Sequence, residues 1–159
     1  VVENKRNAAF PSNIAFDETF INGGTDQPYT RNKIDRFTGG VVNSALFTEQ
    51  PHNGGTTAFA CEIRRNFHRT KHPSDTPSPE ACVGIMLLAL LDIANGIHAI
   101  GGTTSVGRGR LKGLSLELNG KSVLKNDGMA GLDEDVCKDY LSAAASFLNK
   151  ELSHQRGGQ

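Results

Sequence analysis

The chain has 159 residues, a length typical of one domain, with 17 Lys and Arg residues against 17 Asp and Glu residues. A formal net charge of +0 excludes a protein that attracts nucleic acid through its overall charge, so any polyanion site must be local. Three cysteines without a Cys-x-x-Cys spacing, and no apolar run long enough to cross a bilayer, favour a soluble cytoplasmic protein without a membrane partner.

The N-terminal part of the chain predicts little regular structure. Residues 1–33 mix Asn, Gly, Thr and charges with short apolar pairs, which predicts an irregular segment with one or two short strands. Residues 56–67 alternate well enough for a strand with Phe59, Cys61 and Ile63 on one face.

A helix follows with clear start and stop signals. Ser78 is suited to the N-cap, Pro79 to the first helical position and Glu80 to the first turn. The helix is predicted to run to about Asn95 and to stop at Gly96. Because it is apolar on nearly all sides, we expect it to be buried against a sheet.

The C-terminal part predicts a hairpin and a second helix. Residues 114–118 alternate as a strand, and Asn119-Gly120 is a strong signal for a two-residue hairpin turn. Residues 126–159 are predicted to form a C-terminal helix, capped by Asp133, and a polar tail. The order of elements predicts an α+β fold in which helices pack on an antiparallel sheet.

Between the first helix and that hairpin lies a glycine-rich loop, residues 100–111. Glycines let a backbone approach a bulky ligand, and arginines contact phosphate, so the loop predicts a polyanion site. It lacks the Lys-Ser/Thr ending of a phosphate loop, and it follows a helix, the reverse of a dinucleotide fingerprint. An ordinary turn is the alternative. The candidate residues are Gly101, Gly102, Thr103, Thr104, Ser105, Gly107, Arg108, Gly109 and Arg110.

Two motifs of this chain resemble motifs that one known family carries in the same order. The segment Ile34-Asp-Arg-Phe-Thr-Gly-Gly40, then Ala45-Leu-Phe-Thr-Glu49, is similar to a motif of the RAMP superfamily, the backbone subunits of CRISPR type III effector complexes. The glycine-rich loop is similar to the same superfamily's G-G-x-x-S-x-G-x-G-R loop. The resemblance implies a partial ferredoxin-like (RRM-like) fold with a thumb β-hairpin: a half-domain at 34–125, with the thumb at 34–55.

The resemblance implies a CRISPR RNA-binding subunit that holds guide RNA and positions target RNA for cleavage. Its partners would be CRISPR RNA, target RNA, and other RAMP-type subunits or the half of the domain that the resemblance does not cover. Arg36, Phe37, Thr38 and Gly39 would contact RNA, as the glycine-rich loop would, and Asp35 would either hold Arg36 or cap the turn. Phe37 or the Leu46-Phe47 pair would wedge against an unstacked base. The alternative is a surface ion pair of Asp35 with Arg36 and a core role for Phe37, Leu46 and Phe47.

Catalysis is a second hypothesis. Asp26, in Gly-Gly-Thr-Asp-Gln-Pro, resembles the catalytic loop of nuclease subunits that cut target RNA with Mg²⁺, although an aspartate in a turn before proline is the simpler interpretation. His98 offers a rival endonuclease hypothesis, and His68 and His72 lie in a basic connector, residues 64–78, that is either solvated or faces RNA. No metal-ligand spacing is present. A third hypothesis is a structural chain that completes a neighbouring domain.

Overall fold

The computed structural model describes residues 12, 14–64, 77–127 and 129–156. This part of the chain is α+β, with two α-helices and five two-stranded sheets. It divides into two compact units: a ribbon unit, residues 14–62, and a helical unit, formed by the described residues from 63 to 156. No helix in the described ranges combines the length and the apolar character that crossing a bilayer requires.

The α+β class agrees with the sequence prediction, but the sheets are smaller than a ferredoxin-like domain would contain. In the described part of the chain every sheet has only two strands. The division between units falls at residue 62, so the predicted half-domain at 34–125 contributes residues to both units.

The ribbon unit consists of paired strands. β1 pairs with β6, β2 with β5, and β3 with β4. Their bounds are β1 (Ile14–Phe16), β2 (Thr25–Asp26), β3 (Tyr29–Ile34), β4 (Val41–Glu49), β5 (His52–Asn53) and β6 (Cys61–Ile63).

Much of this unit is one long hairpin with a single register. We call residues 22–32 the ascending strand and residues 46–56 the descending strand. From the bridge of Asn22 with Thr56 to the pair of Asn32 with Leu46, the pairing keeps one register, without an inserted residue on either strand. The register shifts only between Asn32 and Ile34, just before the tip. Pro28 and Pro51 separate β2 from β3 and β4 from β5, because proline has no N–H to give to the ladder.

The hairpin starts earlier than the sequence predicted. β3 begins at Tyr29, inside the segment 1–33 that was predicted to be irregular with one or two short strands. The Ile34 motif lies at the tip, so the hairpin includes residues before the predicted thumb at 34–55. Of the predicted strand at 56–67, residues 65–67 lie outside the described residues; in the described part, Thr56 forms an isolated bridge and the strand covers Cys61–Ile63.

The helical unit confirms both predicted helices. Helix α1 (Pro79–Ala94) begins where expected, and the Ser78 side chain accepts a hydrogen bond from the Ala81 N–H at 3.1 Å. Helix α2 (Glu134–Arg156) is capped by Asp133, whose carboxylate accepts from the N–H groups of Asp135 and Val136.

Helix α1 packs mainly against α2 and also contacts strand β10 (Met129–Leu132), so its burial is against a helix more than against a sheet. Gly84 makes this close approach possible: a Cβ there would overlap the Tyr140 carbonyl and lie 2.8 Å from Ala144 Cβ. Leu87, Val123 and Cys137 form the buried centre of the unit.

Two short hairpins complete the helical unit. β7 (Glu117–Leu118) and β8 (Lys121–Ser122) flank the predicted turn, where Asn119 and Gly120 have φ of 51° and 76°. Of the predicted strand at 114–118, only the last two residues, Glu117 and Leu118, form a strand. A second hairpin, β9 (Leu124–Asp127) with β10, was not predicted.

Candidate nucleic-acid interface

One candidate RNA contact is the tip of the ribbon, residues 35–40, in the ribbon unit. Asp35 Oδ1 accepts hydrogen bonds from the N–H groups of Phe37 at 2.8 Å and Thr38 at 2.9 Å. The Asp35 backbone N–H donates to the Gly40 carbonyl, and the Asp35 carbonyl accepts from the Gly39 N–H. Asp35 thus caps the turn, one of the two roles that the sequence predicted.

The same contacts set the charge of Asp35. Hydrogen bonds from the backbone N–H of Thr38 and then of Phe37 hold the pKa of the Asp35 carboxyl below its usual value. The ionised form is therefore the one that organises the tip.

An organised tip presents its aromatic side chain to solvent. Phe37 is 99% exposed, and Leu46 and Phe47 on β4 are 72% and 47% exposed. Within the described ranges, these three side chains do not form a core. Arg36 is also exposed, beside Phe37. The tip can thus offer a cation and an aromatic face to one ligand.

A separate candidate, in the helical unit, is the glycine-rich loop, which is closed at its base. The Ile100 N–H donates to the Gly109 carbonyl at 2.9 Å. Gly109 has φ of 75°, and a Cβ there would overlap the Ile100 carbonyl, so only glycine fits. Gly109 therefore has a structural role in addition to the predicted contact with RNA.

The upper part of the loop leaves its donors available. Thr103 has φ of 55°, and a single 3-10 turn follows at Thr104–Val106. The backbone N–H groups of residues 101–105 donate to no acceptor in the described part of the chain, and neither do the hydroxyl groups of Thr104 and Ser105. Five consecutive N–H groups at an exposed loop can serve an anionic oxygen.

Gly102 stands apart from the other glycines of the loop. It does not adopt a left-handed backbone, and a Cβ placed there would meet nothing within 4 Å. Nothing in the described chain therefore requires glycine at this position. A ligand that approaches the backbone closely would require it.

The two arginines of the loop differ in their partners. Arg108 Nη1 donates to Thr103 Oγ1 at 3.4 Å, which holds its side chain along the loop. Arg110 Nη1 donates to the Gly96 carbonyl after helix α1. Arg110 therefore has a structural partner that the sequence did not reveal, since the two residues are distant along the chain.

The candidate catalytic residue Asp26 lies on β2, directly opposite His52 on β5. Its carboxylate oxygen Oδ1 is 2.7 Å from His52 Nδ1, and His52 Nε2 is 2.9 Å from the Gly23 carbonyl oxygen. Sequence reasoning missed His52. The sequence contains a glycine pair before Asp26, Gly23-Gly24, and another after His52, Gly54-Gly55. Only the strand register shows that the two glycine pairs lie opposite each other.

This arrangement does not provide a general base at His52. A carbonyl and a carboxylate only accept hydrogen bonds, so both ring nitrogens donate when both contacts are made. The assignment of Asp26 to catalysis stays a prediction.

The other candidate, His98, is exposed, with its Nε2 3.7 Å from an Asp92 carboxylate oxygen. His68 and His72, with most of the basic connector, lie outside the described residues. Within the described ranges, no three His, Cys, Asp or Glu side chains cluster in a way that could hold a metal ion. Comparison of the chain with protein-family models, with curated proteins and with solved structures found no match.

Proposed function

We propose that this chain is a CRISPR RNA-binding backbone subunit of the RAMP superfamily in a type III-like RNA-guided effector complex. In this proposal it holds guide RNA and positions target RNA for cleavage by the complex, in which Mg²⁺ would act. The partial ferredoxin-like fold and the cytoplasmic location belong to the same proposal. The motifs at residues 34–49 and 100–111 are its starting point.

The observation that carries the proposal is the glycine-rich loop around Gly102. Its five N–H groups and two hydroxyl groups without a partner among the described residues, on an exposed loop, suit phosphate oxygens. Gly102 in open space suits a ligand that touches backbone. Arg108 adds a cation next to these donors. A neutral chain would thus contact RNA through a local, backbone-directed site, as expected when base pairing supplies the sequence specificity.

The tip of the ribbon supports the same function in a different way. Asp35 holds the turn that carries Arg36 and Phe37, and Phe37 is almost fully exposed. An exposed aromatic ring in water is unfavourable unless a partner covers it, and an unstacked base is a suitable partner. In the proposal, Phe37 stacks on a base and Arg36 contacts a phosphate, with Thr38 and Gly39 shaping the turn.

The test compares two glycines at which a side chain has room. A Cβ at Gly102 or at Gly131 would meet nothing within 4 Å, and neither residue has a left-handed backbone. Gly102→Asp therefore places a negative charge in the candidate site, and Gly131→Asp places the same charge on strand β10. We expect Gly102→Asp to weaken binding of labelled CRISPR RNA to the full chain about tenfold or more, which is about 1.4 kcal/mol.

Binding is measured by fluorescence anisotropy at several salt concentrations, because phosphate contacts make affinity fall with salt. Gly131→Asp should bind as the wild type does. Equal affinities of the wild type and Gly102→Asp would contradict the RNA site at the loop. No binding by the wild-type chain, with intact helical content, would favour a structural subunit instead.

A further inference from the structure

Four glycines face one another in the ribbon unit. Between the bridge of Asn22 with Thr56 and the pair of Thr25 with Asn53, two residues intervene on each strand, so Gly23 and Gly24 lie opposite Gly55 and Gly54. Their φ angles are 74°, 85°, 90° and 76°, respectively. We call these four residues the glycine hinge.

Conformation favours glycine at all four hinge positions, and space also requires it at Gly24 and Gly55. A Cβ on Gly55 would lie 2.6 Å from Ile21 Cγ2, and a Cβ on Gly24 would lie 2.8 Å from the Asn53 carbonyl oxygen. Left-handed backbone at all four positions is available to glycine at little steric cost. Because glycine also has the widest conformational freedom, the backbone itself opposes bending here less than elsewhere in the ribbon.

One side chain spans this hinge. His52 lies on the descending strand, and its imidazole contacts two residues of the ascending strand, Asp26 at 2.7 Å and Gly23 at 2.9 Å. These two partners lie on either side of Gly24. A Cβ on Gly24 would fall 2.5 Å from His52 Nε2, so the ring lies directly over the glycine backbone.

The two contacts depend on the charge of the imidazole. Both partners are acceptors, so only the doubly protonated ring can donate to both. Neutral histidine has one N–H and must give up one of the two hydrogen bonds, leaving a ring nitrogen lone pair facing an oxygen. The geometry thus selects the imidazolium.

The surroundings of His52 act in the same direction. The hydrogen bond to Asp26 and then the one to the Gly23 carbonyl raise the pKa of His52 above its usual value. The charged group of β2 that faces the imidazole of His52 is the Asp26 carboxylate. Asn53, the neighbour of His52 on β5, is uncharged. No other charged group of the described residues contributes to this shift.

We propose that His52 is a pH-sensitive clamp on the glycine hinge: the imidazolium ties the two strands together, and its deprotonation releases one tie and lets the distal ribbon, β3, β4 and the tip, pivot. A raised folded-state pKa means that the clamp is complete below the ordinary histidine pKa of about 6.5. The contribution of the clamp to the stability of the hinge is lost as the pH rises through the raised pKa of His52. The clamp does not depend on RNA binding.

The first measurement follows the ring nitrogens of His52 by ¹⁵N NMR in the full chain as the pH is raised. We expect both nitrogens to be protonated at low pH and the midpoint to lie above that of an ordinary histidine. Asp26→Asn should lower the midpoint. Asp17→Asn is the matched control, since Asp17 is an exposed carboxylate of the same unit without a contact to His52, and it should leave the midpoint unchanged.

The second measurement asks whether the clamp controls the backbone. Amide hydrogen exchange, corrected for its intrinsic pH dependence, is followed at Asn22 and Thr56, which bond each other, and at Gln27, which donates to Pro51. We expect protection at these amides to fall as His52 loses its proton. In His52→Gln, which has no titrating ring, protection should be lower and independent of pH across the same range.

Three outcomes would overturn the proposal. The first is a His52 midpoint that Asp26→Asn does not lower. The second is amide protection in the wild type that does not change while the ring titrates. The third is the same pH dependence of protection in His52→Gln as in the wild type. The wild-type titration alone decides the second outcome, so the proposal stays testable if a variant does not fold.

Discussion

Gly84→Ala tests the closest contact between the two helices. In an exposed helix this substitution stabilises by about 1 kcal/mol, because alanine has the higher helix propensity. Gly84, however, is buried, and its new methyl would overlap the Tyr140 carbonyl and lie 2.8 Å from Ala144 Cβ. Carbon atoms pack at about 3.5–4.0 Å. Both neighbours are held by the α2 backbone, so no flexible side chain can move away.

Relief of this overlap requires α2 to move away from α1. Overpacking of this kind costs about 1–3 kcal/mol, and a clash with backbone belongs at the upper end of that range. After subtraction of the propensity gain, we expect a net loss of about 2 kcal/mol, or a fall in Tm of roughly 4–8 °C for a chain of this size.

The assay is urea unfolding followed by far-UV circular dichroism, which reports on the two helices. Ala89→Gly, at an exposed position of α1, is the control: it should cost about 1 kcal/mol from propensity alone. If Gly84→Ala is as stable as the wild type or more stable, the close approach of α1 to α2 at this point is wrong.

Two further predictions concern one stability contact and one RNA contact. Asn95→Ala removes the side chain that donates to the carbonyls of Leu91 and Ala130 and accepts from the Ala130 N–H. It should lower the free energy of unfolding by about 2–4 kcal/mol in urea, and a change below about 0.5 kcal/mol would contradict this role. Phe37→Ala should weaken CRISPR RNA binding by about 1–3 kcal/mol in anisotropy, whereas Phe20→Ala, which removes another exposed ring of the ribbon unit, should not. Equal losses in the two phenylalanine variants would contradict stacking at the tip.

The elements that the sequence predicted well are those with local signals. Helix α1 starts and stops through Ser78, Pro79 and the Asn95-Gly96 pair, all within one turn of its ends. The turn at Asn119-Gly120 is likewise a two-residue property. Such signals need no knowledge of the rest of the chain.

The ribbon was largely missed because its structure is non-local. Its pairs join residues far apart along the chain, such as Asn22 with Thr56, and glycine and proline interrupt its two sides outside β3 and β4. The β9–β10 hairpin was missed because Asn126 and Asp127 are typical of loops.

The candidate site residues also include some whose properties depend on local sequence and others whose contacts depend on the fold. The composition of the loop at residues 100–111 predicts an anion site, because glycines let the backbone approach a ligand closely, and this assignment stays a prediction. The tie from Arg110 to Gly96 and the contact between Asp26 and His52 depend on folding, so residue types alone could not reveal them.

The prolines of the ribbon have a consequence for solubility. A two-stranded ribbon has two open edges, and an exposed edge can recruit a strand from another molecule and start aggregation. Pro28 and Pro51 lie on opposite strands, each close to a pair of left-handed glycines. Together they divide both edges into short runs and leave β4, with nine residues, as the longest continuous one. Strand addition along either edge of the ribbon would therefore be interrupted at Pro28 or at Pro51.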